Sequence, residues 1–340
     1  MIILACALTK PIYVQFAFAS WKQNGMMGPT FNNPKDNDGQ RPYDGALTID
    51  LEDWRCALNP DPKADYRARP HPNEEYIRES TGAVLKELDA AGAKATFFVL
   101  GEVARAVPEV VRDLVRKGHE VASHSPVHLP PRMIPRDEME RLIKLDVSLF
   151  EDLTGLRPAG FRAPYLAVRR NEGWLLKMLS ELGFLYDSSI APTQTPYWGI
   201  PSAPKGAYFP DFTDLAKPLS SGPLLEIPLT VWPTWKHLPG LPIAGGFYMR
   251  AWPMPLLAYM LRKNVRSGFP LVIYIHPGNL ESAKERVESS TMRDRISQYA
   301  VSGRGLSSFR YILHEFRLST MSAVFDRQLN ALKQARSVDR

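Results

Sequence analysis

Cysteine is scarce: two residues in 340, Cys6 and Cys56, with no C-x-x-C pair. A disulfide framework is therefore excluded. Long apolar runs are also few. Met1–Ser20 is apolar, but Lys10 and Pro11 interrupt it, it lacks a basic start, and its apolar stretch is too short to span a bilayer. No other run is long enough for a membrane helix, so no membrane span is expected, and a cytoplasmic location is the corresponding expectation. Charge of one sign is not concentrated either. The balance is +6, and the basic clusters (Arg157, Arg162, Arg169 and Arg170; Lys333, Arg336 and Arg340) are scattered. They read as solvated faces, and no stripe or module suited to nucleic acid is present.

What the chain has in plenty is proline, 30 against 22 glycines. That composition implies long, stiff connections. Hydrophobic residues at 44% and charged residues at 23% are ordinary for a globular protein.

Short β-branched or aromatic runs alternate with amphipathic segments. Strands are expected at 46–51, 94–100, 119–123, 160–162, 184–187, 224–231 and 271–276. Helices are expected at 74–91, 108–117, 135–154, 172–182 and 254–264, with Gly92, Gly118 and Gly183 as stops. In the longest helix the apolar stripe is read as Met139, Leu142, Leu145, Leu149 and Leu153. This alternation implies an α/β fold of parallel strands with helical crossovers. Residues 191–243 hold eleven prolines and break the rhythm, as a structured insertion would. The expected organisation is a leader and loop over 1–44, a barrel over 45–280 that includes the insertion, and a helical extension over 281–340, clearest at 308–316.

Three polar clusters fall at the C-terminal ends of expected strands, where parallel α/β architectures gather their sites. In Thr48–Asp53 (TIDLED), strand alternation points Asp50 and Glu52 the same way. Two carboxylates so placed repel unless a cation lies between them, though a solvated acidic turn would read alike. In His124–His128 (HSPVH), Ser125 suits a helix cap and Pro126 a first helical position. One turn would then bring the two imidazoles together as neutral metal ligands. His276 follows the apolar strand Leu271–Ile275 and delivers an ionisable group to the same rim.

In this order, the clusters resemble the NodB-type polysaccharide deacetylase family, carbohydrate esterase family four. Thr48–Asp53 looks like its opening acidic motif, Ala95–Val99 (ATFFV) its second strand, and HSPVH its H-[ST]-x-x-H motif. Arg162–Tyr165 (RAPY) fits R-x-P-[FY], and Tyr274–His276 stands at the final histidine motif. The D-x-E-D opening and the tail after His276 resemble the exosortase-associated exopolysaccharide subgroup.

The resemblance implies a distorted (β/α) barrel and metal-dependent release of acetate from an N-acetylated glycan. Glu52 or Asp53, with His124 and His128, would hold a divalent metal, zinc by analogy; strand geometry favours Glu52. Asp50 would be the general base, Arg162 its partner, and His276 the acid, oriented by Asp187. Pro164 and Tyr165 would contact substrate, the Tyr165 N–H at the oxyanion. The chain departs from the family in the Leu51 between its acids, in Leu166 where glycine often stands, and in the absence of a tryptophan from Asp187–Ile190 (DSSI). Two other functions are compatible with these residues: hydrolysis of a cyclic or linear amide in a small molecule, and glycan binding without turnover. Trp198, Trp232, Trp235 and Trp252 could stack on sugars or simply pack the insertion. The sequence is silent on oligomeric state.

Overall fold

The computed structural model describes residues 43–53, 71–195, 198–234, 239–280 and 304–338. The leader, both cysteines and Trp235 lie outside the described residues.

Strand β1 (Gly45–Leu51) is followed by α1 (Glu74–Ala91), β2 (Thr96–Val99), α2 (Gly101–Ala106), α3 (Pro108–Arg116) and β3 (Glu120–Ser123). Next come α4 (Arg136–Thr154), β4 (Gly160–Phe161), α5 (Gly173–Glu181) and β5 (Tyr186–Asp187). The proline-rich region holds the hairpin β6 (Phe209–Asp211) and β7 (Asp214–Leu219), then β8 (Leu225–Glu226), β9 (Val231–Trp232) and β10 (Leu241–Pro242). The chain returns through α6 (Gly246–Ala251), α7 (Met254–Arg266) and β11 (Leu271–Ile275). It then continues in α8 (Gly305–Glu315), β12 (Leu318–Ser319), α9 (Met321–Val324) and α10 (Asp326–Val338).

The main sheet runs β11-β1-β2-β3-β4-β5-β8, with β12 also paired to β1, and every ladder in it is parallel. It is a distorted parallel half-barrel with outer helices, as the alternating sequence predicts. Among the described residues no ladder joins β8 to β11. Instead Thr230 N–H donates to Val272 O (3.2 Å) and Tyr274 N–H to Ala244 O (2.8 Å). The proline-rich region thus supplies a strand and the bridging segments of the barrel.

Strand parity sorts the side chains. Leu47, Ile49, Leu51, Phe97, Val99 and Ile273 face the helices in one apolar cluster. Ala46, Phe98, Ala122, Tyr186, Leu225 and Val272 face inward, where Met321, Val324 and Phe325 of the C-terminal segment fill the space between them. That segment is pinned by Glu120, which accepts from Ser322 N–H (2.9 Å), Ser322 Oγ–H (2.6 Å) and Tyr186 O–H (2.9 Å). With the base plugged, the polar inward positions farther along β1 are left to build a site at the opposite rim.

Two sequence expectations need correction. In α4 the buried stripe is Met139, Ile143, Val147 and Phe150, whereas Leu145 is 52% exposed. Arg162 belongs to no solvated face, being the largest fully buried side chain among the described residues. Trp198, Trp232 and Trp252 are partly buried and pack against the core, in line with the simpler of their two expected roles.

Candidate metal centre

Glu52 leaves the end of β1 two residues beyond Asp50, so both carboxylates point to the inner side of the rim. Glu52, His124 and His128 are buried, and one ligand atom from each lies within 4.8 Å of the others. Nε2 of His128 is 2.5 Å and Nε2 of His124 3.7 Å from Glu52 Oε2. Yet Glu52 Oε2 makes no hydrogen bond of acceptable geometry, although it is fully enclosed. The Nδ1 of His124 is 2.8 Å from the Arg162 carbonyl, which can only accept. Nδ1 therefore carries a proton, and the ring turns its Nε2, whose lone pair is available when the ring is neutral, to the cluster. A buried oxygen with no donor and an imidazole lone pair aimed at the same point suit a divalent cation. The residues present fit such an ion.

The electrostatics agree. Burial alone would raise the Glu52 carboxyl, but the positive character of His128 and His276 and the close approach of the His124 and His128 rings hold it well below the usual carboxylate range. Burial disfavours a charged His124, and the negative field of Asp50 and Glu52 outweighs it and draws that imidazole upward. The pocket is thus a place where positive charge is stabilised.

The two histidines are not joined by a helical turn. Ser125 sits at φ +79°, and the loop is fixed from outside, because Gly101 N–H donates to Ser125 O and Glu102 N–H to Pro126 O (both 3.0 Å). Their ring centroids lie 5.7 Å apart. Tyr165, at φ +57°, brings its ring to 4.2 Å from His128, and Pro164 opens the same buried turn.

Arg162 anchors the other acid. Its Nη1 donates to Asp50 Oδ1 (2.7 Å) and Thr48 Oγ1 (2.8 Å), its Nε to Ser188 O (3.0 Å) and its Nη2 to Ser188 Oγ (3.0 Å). The guanidinium lies 4.1 Å over the Phe98 ring. Thr48 and Ser188 are site residues that sequence reasoning misses. Thr48 is legible in hindsight, being two residues before Asp50 on the same strand face. His276 enters from β11, part-exposed, with Nε2 3.2 Å from Glu52 Oε1.

Two expected members stand apart from this group. Asp53 lies outside the metal-type cluster; its Oδ2 accepts from Asn73 N–H (2.7 Å) at the start of α1. Asp187 is not the orienter of His276. Its carboxylate accepts from Ser189 Oγ–H (2.7 Å) and N–H (3.2 Å) and stands against Glu226.

Residues 71–186 match the family described as polysaccharide deacetylase. That part of the chain is similar to the family. Residues 188–326 match a domain of unknown function, DUF3473. The chain is 32% identical over 116 residues to the peptidoglycan deacetylase-like protein FGM2 of Gibberella zeae, covering 34% of this chain and 33% of that protein. It is 32% identical over 140 residues to a peptidoglycan deacetylase of Helicobacter pylori, covering 39% and 47%. It is also 32% identical over 133 residues to chitin deacetylase 1 of Bombyx mori, covering 36% and 24%. The match thus spans less than half the length of each of these relatives. In three dimensions the chain is similar to a Mycobacterium smegmatis protein described as a polysaccharide deacetylase. The TM-score is 0.53 at 19% identity, over 85% of this chain and 90% of that one, a shared fold. Both matched ranges build one site. His124, His128 and Arg162 come from the deacetylase range, and His276 and Ser188 from the range of unknown function.

Proposed function

We propose that this protein is a metal-dependent deacetylase, which hydrolyses the N-acetyl group of amino sugars in a polysaccharide and releases acetate. The observation that carries this reading is the convergence of Glu52, His124 and His128 beside the Arg162-held Asp50. Zinc is the metal that this two-histidine, one-carboxylate set favours.

A divalent cation held by Glu52, His124 and His128 supplies Lewis acidity toward the acetamide carbonyl and lowers the pKa of water. Asp50, fixed by Arg162, takes the proton from the attacking water. His276, the part-exposed imidazole of the group, is placed to protonate the departing nitrogen. The Ala163–Tyr165 turn walls the site, and the Tyr165 N–H is the donor offered to the developing oxyanion. Peptidoglycan and chitin deacetylases among the relatives support an N-acetylglucosamine-type substrate. The Asp50–Asp53 pattern, with Glu52 as the acid of the cluster, supports the exosortase-associated exopolysaccharide subgroup.

The test is acetate release from N-acetylglucosamine oligomers and acetylated bacterial exopolysaccharides by zinc-loaded protein. Activity abolished by His124→Ala and by chelation is expected. A zinc-loaded, folded protein inert toward every acetylated glycan would overturn the reading.

A further inference from the structure

Beneath Arg162 lies a second polar cluster that the proposed hydrolysis does not use. Asp187 and Glu226 are register partners on the adjacent parallel strands β5 and β8, and neither is exposed at all. Glu226 Oε1 accepts from Ile190 N–H (3.0 Å). Its Oε2 has no donor to accept from, although it is enclosed and the carboxyl is within hydrogen-bonding reach of Asp187. The nearby cation is Arg162, already committed to Asp50. Two carboxylates in that setting cannot both be ionised. A proton shared between them satisfies the orphaned oxygen by turning it into a donor.

The proton belongs on Glu226. Asp187 accepts two hydrogen bonds from Ser189, which favour its anion, whereas Glu226 accepts one, from Ile190. Burial and the charge of Asp187 push the Glu226 carboxyl well above the ordinary range, while its hydrogen bonds to Glu226 and Ser189 restrain the rise at Asp187. Among the described residues, the other titratable groups facing the pair are Arg162, just past the end of the neighbouring β4, and Tyr208, whose hydroxyl donates to Leu215 O.

The pair is wired to the site. Ser189 Oγ, whose proton goes to Asp187, accepts from Ala163 N–H (2.8 Å). Ser188 receives both Arg162 Nε and Nη2, and its own Oγ–H goes to Ile227 O (2.8 Å), next to Glu226. We propose that Glu226 is held as a carboxylic acid that donates to Asp187. In that state it is a positioning residue, setting Ser188 and Ser189 and through them Arg162 and the Ala163–Tyr165 turn.

The effect on turnover rests on the deacetylase reading; the protonation state does not. The test uses the full chain with Glu226→Gln, Glu226→Leu and Asp187→Asn. Glutamine reproduces the protonated acid, accepting from Ile190 and donating to Asp187. Its thermal midpoint is expected to gain on wild type as pH rises from 5 to 8, by roughly 2 °C per unit. The gain arises because wild type must retain a proton that its unfolded chain releases. Glu226→Gln is expected to keep kcat within about twofold. Glu226→Leu and Asp187→Asn are expected to lose about tenfold or more, with zinc affinity little changed. A Glu226→Gln midpoint that tracks wild type at every pH overturns the proposal, and that measurement holds even if Glu226→Leu does not fold. Glu226→Gln falling in kcat together with Glu226→Leu overturns the positioning role. A widening midpoint gap in a protein inert toward all glycans supports the protonation state and removes the deacetylase reading alone.

Discussion

Replacing Arg162 by methionine tests the central ion pair. The substitution keeps much of the side-chain volume over Phe98 but strands the buried Asp50 carboxylate, Thr48 Oγ1 and both acceptors on Ser188. Removing one partner of a buried pair costs about 3–5 kcal/mol, because the remaining charge is left without compensation. At about 2–4 °C per kcal/mol for large domains, the midpoint falls by roughly 6–20 °C. The informative comparison is the cycle with Asp50→Asn. If stranded charge dominates the loss, adding Asp50→Asn to Arg162→Met recovers at least about 1 kcal/mol. Denaturant melts of the four proteins give the coupling directly. Arg162 reaches His124 through its backbone carbonyl, so zinc affinity should move little. A double variant no more stable than Arg162→Met would refute the argument that Asp50 depends on this guanidinium. A large loss of zinc in Arg162→Met alone would show that its side chain, rather than its carbonyl, holds the ligand set.

Glu52→Gln should lower zinc affinity by more than the ~10–100-fold typical of losing an outer partner. Asp53→Asn should leave zinc stoichiometry unchanged and cost about 1 kcal/mol at the start of α1. Titration with zinc by calorimetry distinguishes the two acids, and equal losses would contradict the geometry. His119 accepts from Ala95 N–H at Nδ1, and burial lowers its pKa to about 4. A histidine depressed in the folded state contributes stability that is present above about 6.5 and lost as pH falls toward 4, here at most about 3 kcal/mol. His119→Gln should flatten that acid limb in melts at pH 6.5 and 4.5. An unchanged slope would place the acid sensitivity elsewhere.

Much of this site is written in local pattern. Period-two alternation places Asp50 and Glu52 on one face, and the strand-end positions of His124, Arg162 and His276 bring them to one rim, because parallel strands share a direction. Pattern fails where a long-range contact decides. Ser125 and Pro126 look like a helix start, yet their carbonyls are taken by the first N–H groups of α2, which lies earlier in the chain. Asp187 looks like a partner for His276, but the β5–β8 register gives it Glu226. In α4, the five apolar residues at near-helical spacing mark the buried stripe only in part: Met139 is buried and Leu149 and Leu153 pack on the core, but packing against α2 and α3 sets the face and leaves Leu145 in water.

The backbone carries the remaining argument. Among the described residues three non-glycine positions have positive φ: Ser125, Tyr165 and Leu166. All three lie in the two loops that bear or border the histidine ligands. Such conformations cost of order 1–3 kcal/mol each and persist only where the surroundings overdetermine them. At Ser125 the surroundings are the α2 amide groups, and behind them Arg105, which pairs with buried Asp146 (2.7 Å) and reaches Pro126 O (3.4 Å). At Tyr165 and Leu166 they include Ser189 Oγ on Ala163 N–H and, through it, the acid pair. Leu166, where the family often has glycine, is therefore held in a left-handed conformation by contacts rather than by composition. The polar networks behind the two loops thus act alike, since each offsets the strain that keeps its part of the site in place.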